Sequence, residues 1–332
     1  MIKRLTFYII ATMFALTANG QYRDDELGCG FKCRTIDMGT DYEGHVVCSI
    51  VKRNAPKPSK KALLYLHGFN DYFFQKELAE RFNAEGYNFY ALDLRKFGRS
   101  YLSHQKRCNM RNISEFFADI DTAVAIIKHE GNKNIIFMAH SMGGLTASLY
   151  CDAKSDTCPF DFIILNSPFL ELNNSWFMRK IAMPVASLYA NIDPDIIIQQ
   201  GPSTSYGESL LKGRHGEWKY DETKKLSASP PVTTGWIHGI HNGQKKVHKG
   251  LNIKRPILVM YSDKSSNYDE WNPEMQHSDA VLNTKDIARY GKNLGNNVTM
   301  VKVKDGMHDL ICSSPGVRNA VYKKIFSWIK VK

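Results

Sequence analysis

Short, continuous apolar runs alternate with stretches of helical spacing from residue 62 to residue 165, and again from residue 256 to residue 329. Ala62–Leu66, Tyr87–Leu94, Asn134–Ala139 and Phe160–Leu165 are runs of four to eight residues with no polar alternation, as expected of strands buried on both faces. Between them, Asp71–Ala84, Ile113–His129 and Met142–Ala153 place apolar residues at helical intervals, with Asn112 or Ser114 positioned to cap the second. Such alternation predicts a mostly parallel sheet with helices on both faces. Two earlier strands, Phe31–Met38 and His45–Lys52, flank a Gly-containing turn. The pattern stops at Phe169 and resumes with Pro256–Tyr261, Thr284–Leu294, Val298–Val303 and Val317–Ile329. The organisation expected is therefore a core in two parts, 21–168 and 254–332, with an inserted cap or lid over 169–253. A cap between two late strands would cover the C-terminal edge of the sheet, where ligands bind in open α/β sheets.

With 43% hydrophobic and 23% charged residues in 332, the chain can bury a large core without staples. It shows no repeat of 20–50 residues, which excludes solenoids and propellers. Residues 1–20 have the three-part layout of a secretory signal: basic Lys3 and Arg4, an apolar Leu5–Leu16, and small residues before Gln21. That apolar run falls short of the ~20 residues a spanning helix needs. Export to a secreted or periplasmic location is expected, with no transmembrane segment in the mature chain. The formal net charge of +11 is spread along the chain with no basic run interleaved with aromatics, so no nucleic-acid partner is expected. Of the seven cysteines, Cys151 and Cys158 form the best local pair. Cys29 with Cys33 or Cys48 is weaker, and an odd count leaves one thiol over. No Cys-x-x-Cys or clustered His spacing suggests zinc, and neither metal nor cofactor is expected.

Chemistry concentrates in Ala139-His140-Ser141-Met142-Gly143-Gly144, between a buried strand and a helix. Small residues on either side of a Ser in this setting allow the strained turn that exposes a nucleophile, with Ala139 standing where glycine is usual. Ser141 then opens a helix, and the Met142 N–H faces a developing oxyanion. After the Ala62–Leu66 strand, His67-Gly68-Phe69-Asn70-Asp71 can supply a second oxyanion donor from the Phe69 N–H, with His67 a structural hydrogen-bonder. His308 follows the last strand and is the expected base; His140 adjoins the Ser and points elsewhere. The acid that orients His308 is Asp279 or Asp263, with Asp279 preferred.

These motifs together resemble the α/β-hydrolases of the monoacylglycerol lipase, lysophospholipase and serine aminopeptidase group, over about residues 40–330. The family's G-H-S-M-G-G elbow is matched at 139–144 except for Ala139, and its H-G-x-x-[D/E] loop at His67–Asp71. The D-x-R-G-x-G-x-S turn is matched at Asp93–Ser100, with Lys96 in place of Gly, and the late G-x-H at Gly306–His308. Asp279-Ala-Val-Leu282 resembles the family's D-x-x-V before a helix, after an insertion from Ser265 to Ser278. The resemblance implies an α/β-hydrolase fold and acyl transfer to water through Ser141, His308 and Asp279. It implies a small ester or lipid-like substrate, such as a monoacylglycerol or lysophospholipid, reached by transient contact with a lipid surface. A serine aminopeptidase-like peptidase is the alternative, with Glu208, Glu217, Asp221 and Glu222 available to hold a substrate ammonium. A silent ligand-binding hydrolase is the third reading.

Overall fold

The computed structural model describes residues 20–198, 204–266 and 270–332; the signal expected at 1–20 lies, but for Gly20, outside them. Eleven strands are described: β1 Arg23–Asp24, β2 Lys32–Asp41, β3 Gly44–Arg53, β4 Lys61–Leu66, β5 Asn88–Asp93, β6 Asn134–His140, β7 Phe162–Asn166, β8 Ile197–Ile198, β9 Val232–Thr233, β10 Ile257–Ser262 and β11 Val298–Val303. Nine of them form one sheet in the order β1-β2-β3-β5-β4-β6-β7-β10-β11. From β5 to β11 every neighbouring pair is parallel, and only the leading β1–β3 run antiparallel to their neighbours.

Alternate residues of each central strand feed two separate cores. Leu64, Leu66, Ile135, Phe137 and Ala139 pack under helices α2 (Phe117–His129) and α3 (Met142–Lys154). Leu63, Tyr65, Ile136 and Met138 pack under α1 (Lys76–Ala84) and α8 (Pro315–Lys330). This is why the apolar runs carry no polar alternation: both faces are covered. The same split bears on the cysteines, all seven of which are thiols. Cys151 and Cys158 are buried in one core. Cys48 also lies in that core, whereas Cys33 packs against the opposite one and Cys29 is exposed, so Cys29 and Cys48 are not placed to pair.

Two elements differ from expectation. The helix expected from Asp71 begins only at Lys76. The Phe73 N–H donates to the Asp93 carboxylate (3.1 Å) and the Phe74 N–H to Gln75 Oε1 (3.1 Å), so side chains take the amides that a helix would use. Residues 169–253, where the strand–helix alternation stops in the sequence, contain the 16-residue α6, Thr234–Lys249. Gly235, Gly239 and Gly243 look like breakers, yet they line one face where a Cβ would meet neighbouring chain. At Gly239 it would lie 3.3 Å from the Arg111 carbonyl oxygen, and at Gly243 2.7 Å from Ile113 Cδ1. The glycines let α6 pack closely and so offset their poor helix propensity.

Between β7 and β10 the chain also forms a π-helical turn Met178–Ala182 running into α4 (Met183–Tyr189), α5 (Ser205–Leu210) and the small β8–β9 pair. The remaining helix, α7, spans Thr284–Gly291.

Candidate active site

Parallel strands deliver their following loops to one edge, and here β4, β6, β10 and β11 do so together. β6 ends at His140, paired with Asn166 of β7. Ser141 then takes φ 51° and ψ −118°, a left-handed conformation that a non-glycine residue adopts only when its surroundings hold it. Its N–H donates to the Asn166 carbonyl (3.0 Å), and its carbonyl accepts from Gly144 N (2.8 Å) and Phe169 N (3.0 Å). A Cβ at Gly143 would sit 2.3 Å from the His67 carbonyl oxygen, so only glycine lets α3 start this close to the loop after β4. Ala139 is fully buried with its methyl in the core, where the usual glycine is not required.

His308 lies beyond β11, after a turn at Asp305 with φ 56°. Its Nε2 is 3.0 Å from Ser141 Oγ, and its Nδ1 is 3.0 Å from Asp279 Oδ2. A carboxylate only accepts, so Nδ1 carries the ring proton and Nε2 is left to accept from the hydroxyl. Asp279 is fully buried. It is held beside the end of β10 by backbone bonds to Lys264 and Ser266, both 3.0 Å. Its second oxygen, Oδ1, accepts from Val281 N (3.0 Å) and Leu282 N (2.7 Å), which fixes the carboxylate plane. Asp263, the other candidate acid, is exposed and accepts from Asp305 N (3.0 Å), capping the turn ahead of His308. The structure thus brings Ser141, His308 and Asp279 into one hydrogen-bonded chain and leaves Asp263 outside it.

Phe69 follows β4, and its N–H has no hydrogen-bond acceptor among the described residues. The Met142 N–H opens α3, where helix geometry provides no carbonyl for it. Both amides belong to segments touching Ser141. His67 is spent structurally: the Leu94 N–H donates to its Nε2 (3.1 Å), so its Nδ1 donates to the Gly68 carbonyl (2.7 Å). His140 is buried with its ring 4.8 Å from that of His308 and its Nδ1 3.2 Å from the Asn166 carbonyl. Burial lowers its pKa and favours the neutral ring.

One residue of this site escaped the sequence reading. Asp309, next to His308, is buried and accepts from Asn166 Nδ2 (2.6 Å), Gln75 Nε2 (3.2 Å) and Cys312 Sγ (3.3 Å). Burial opposes its ionisation, but the neighbouring His140 and His308 rings and the bonds from Asn166 and Cys312 outweigh it and hold the carboxyl below its ordinary value. It anchors the His308 loop to β7 and to the entry of α1. The signal available was an Asp able to N-cap the turn Leu310–Cys312. From the inserted segment, Tyr206 stands edge-on to the His308 ring (5.5 Å) and accepts from Asp309 N (3.2 Å). Trp236 contacts the Phe69 ring at 5.0 Å. Ser141 is left only 8% exposed. Among the described residues no group of three or more His, Cys, Asp or Glu side chains could hold a metal ion.

Comparison with known proteins bears on the family and the fold. The family model described as "Serine aminopeptidase, S33" matches residues 57–311. A monoacylglycerol lipase of Mycolicibacterium smegmatis is 25% identical over 202 residues, covering 60% of this chain and 68% of that protein. A monoacylglycerol lipase of Paleococcus ferrophilus superposes with a TM-score of 0.64 at 17% identity, over 84% of this chain and 96% of its own. A monoglyceride lipase of Saccharomyces cerevisiae, solved with a substrate analogue, superposes with a TM-score of 0.61 at 16% identity, over 93% of each chain.

Proposed function

The chain belongs to the serine aminopeptidase S33 family of α/β-hydrolases and is a serine hydrolase, and from that premise we propose that it cleaves carboxylic esters of monoacyl lipids through an acyl-enzyme on Ser141. The observation that carries this reading is the unbroken path Ser141 Oγ, His308 Nε2, His308 Nδ1, Asp279 Oδ2 at the C-terminal edge of the sheet. Ser141 attacks the ester carbonyl while His308 takes its proton. Asp279 keeps the ring in the accepting tautomer and stabilises the imidazolium. The Phe69 and Met142 amides receive the oxyanion, each contributing about 3–4 kcal/mol by analogy with donors removed elsewhere. His308 then protonates the leaving alcohol, and water, deprotonated by the same ring, releases the acid. Every step uses side chains and amides of this chain.

Two features favour a lipid-like ester. Trp236, beside Phe69, also lines a cavity of about 260 Å³ with Tyr101, Ile197, Leu226 and Val232. In the inserted segment Trp176, Phe177, Ile181, Val185, Leu188 and Ile192 are all exposed, at helical spacing, with the exposed Lys180 among them, whereas Arg179 is paired with Asp286 (2.8 Å). An outward apolar stripe with Lys180 beside it fits an anionic lipid surface. The carboxylates that an aminopeptidase reading needs are otherwise engaged. Glu217 pairs with Arg318 and Asp221 with Lys224, while Glu208 and Glu222 accept from Thr204 and Ser227.

A single panel tests this: p-nitrophenyl esters of graded length, aminoacyl anilides, and a monoacylglycerol carried in phosphatidylglycerol vesicles. Esters are expected to exceed anilides throughout; the reverse order would replace this reading with a peptidase. Val185→Glu with Leu188→Glu should lower vesicle partitioning about 100-fold, from the apolar burial lost, with short-ester turnover unchanged. Equal partitioning would remove the lipid surface from the proposal. Export is also part of the reading. N-terminal sequencing of the protein from its native host should begin at Gln21, and an intact Met1 would refute it.

A further inference from the structure

The loop that follows β4 is held from outside the core, residue by residue. Asn70, with φ 50°, donates through Nδ2 to the Leu226 carbonyl (2.8 Å) and accepts at Oδ1 from the Leu226 N–H (3.1 Å). Its amide thus pairs with one backbone residue in both directions, as a neighbouring strand would. Asp71 forms an ion pair with Lys225 (3.0 Å), both buried. The Tyr72 hydroxyl accepts from Asp221 N (2.8 Å), and the Phe74 ring packs on Tyr220 at 5.0 Å and Trp218 at 5.9 Å. Residues 71–75 are those expected to be helical and found not to be. The conformation of Asn70–Phe74 is therefore fixed by residues 218–226 of the inserted segment and by core side chains, not by helical hydrogen bonds of their own.

Phe69 immediately precedes this run, and its N–H is the only donor of the proposed oxyanion pair that no helix positions. Met142 is set by α3 whatever the inserted segment does. We propose that Lys225 and Leu226 form a latch that sets the Phe69 amide, with Asn70 and Lys225 acting as positioning residues for oxyanion stabilisation. This rests on the ester-hydrolase reading of Ser141 and deepens it. A buried ion pair adds little net stability compared with apolar packing, but it does specify one arrangement of the two segments. Leu226 is the link to substrate, because it also lines the 260 Å³ cavity beside Trp236. An acyl chain that fills this cavity presses on the residue that Asn70 grips. Acyl length should then act on kcat as well as on KM, since binding energy from the remote chain is realised as orientation at the reacting centre.

The test uses two variants chosen to fold. Asn70→Gly keeps the left-handed backbone and removes both bonds to Leu226. Lys225→Met with Asp71→Asn removes the ion pair without leaving a buried unpaired charge. The readouts are kcat and KM on a soluble p-nitrophenyl ester, the rate of phosphonylation by a fluorophosphonate, the pH–rate profile and the thermal midpoint. Each variant should lose about 10- to 100-fold in kcat, as a roughly 1 Å misplacement of a catalytic group does. KM should stay within about threefold and phosphonylation should slow in parallel. The pH profile should keep its midpoint, because His308 and Asp279 are untouched. Combined, the two changes should cost no more than the larger of them, since both release the same loop. Multiplying losses, or losses confined to KM and the thermal midpoint, would overturn the latch. An active wild type with undiminished variants overturns the latch alone, whereas an inert, unlabelled wild type overturns the ester-hydrolase reading and the latch with it.

Discussion

Ser141→Ala should abolish covalent labelling by a fluorophosphonate and lower ester turnover by about 10⁶-fold, leaving a residue of catalysis from the oxyanion donors and binding. The size follows from the geometry. Among the described residues Ser141 Oγ alone hydrogen-bonds the imidazole's Nε2. The proposed oxyanion donors lie on the next residue, Met142, and on the loop beside it, where a Cβ at Gly68 would meet Ser141 Cβ at 3.1 Å. Removing it leaves no nucleophile, and a water recruited in its place lacks the fixed approach that the strained turn provides. The fold should tolerate the change. Alanine meets the same backbone demand as serine at φ 51°, and the alteration removes one hydrogen bond. Far-UV circular dichroism and the thermal midpoint of the variant should match those of the wild type. Persistent labelling of Ser141→Ala would place the reactive hydroxyl elsewhere and end the proposal.

Legibility in the sequence tracked how local the cause was. The buried strands and the helices over 117–129 and 142–154 follow from apolar spacing, which a window of ten residues contains. The turn at 139–144 was readable because its chemistry and its packing requirement fall on the same six residues. Gly143, which must admit the His67 carbonyl, is one of them. What escaped was decided by distant partners. The helix expected from Asp71 lost its first turn to Asp93 and to the inserted segment, neither visible from 71–84 alone. The helix α6 was not legible because its glycines are poor helix formers, and the Arg111–Ile113 segment that they accommodate is far away in sequence. Lys96, a departure from the family's Gly, adopts φ 69° and is fully buried. It is matched there by Asp41 (2.7 Å) at the end of β2 and Glu43 (2.9 Å) in the turn that follows. That ion-pair cluster makes a buried lysine tolerable, and no spacing rule could have shown it. Asp309 is similar: one acid among others in sequence, in space an anchor whose carboxylate accepts from Asn166, Gln75, Cys312 and Ile311 N.

The choice between Asp279 and Asp263 was open in the sequence for the same reason, since both follow β10 and only the path of the intervening chain separates them. Asp279→Asn should lower kcat by about 10⁴-fold, with KM and stability little changed. The carboxamide can present its NH₂ to His308 Nδ1, which moves the ring proton to Nε2. The imidazole then offers Ser141 Oγ a donor where an acceptor is needed. The variant should recover in part at high pH, where ionisation of the serine hydroxyl replaces proton removal by the ring. Asn retains an oxygen able to accept from Val281 N and Leu282 N, so the turn that carries it should survive. Asp263→Asn should remain within a few-fold of wild type, because the exposed side chain only caps the Asp305 amide and a carboxamide oxygen can do the same. Measuring kcat/KM for the two variants on one soluble ester separates the assignments. A loss confined to Asp263→Asn would require the chain around His308 to rearrange before turnover, so that the 3.0 Å contact with Asp279 belongs to a resting arrangement and not to the working one.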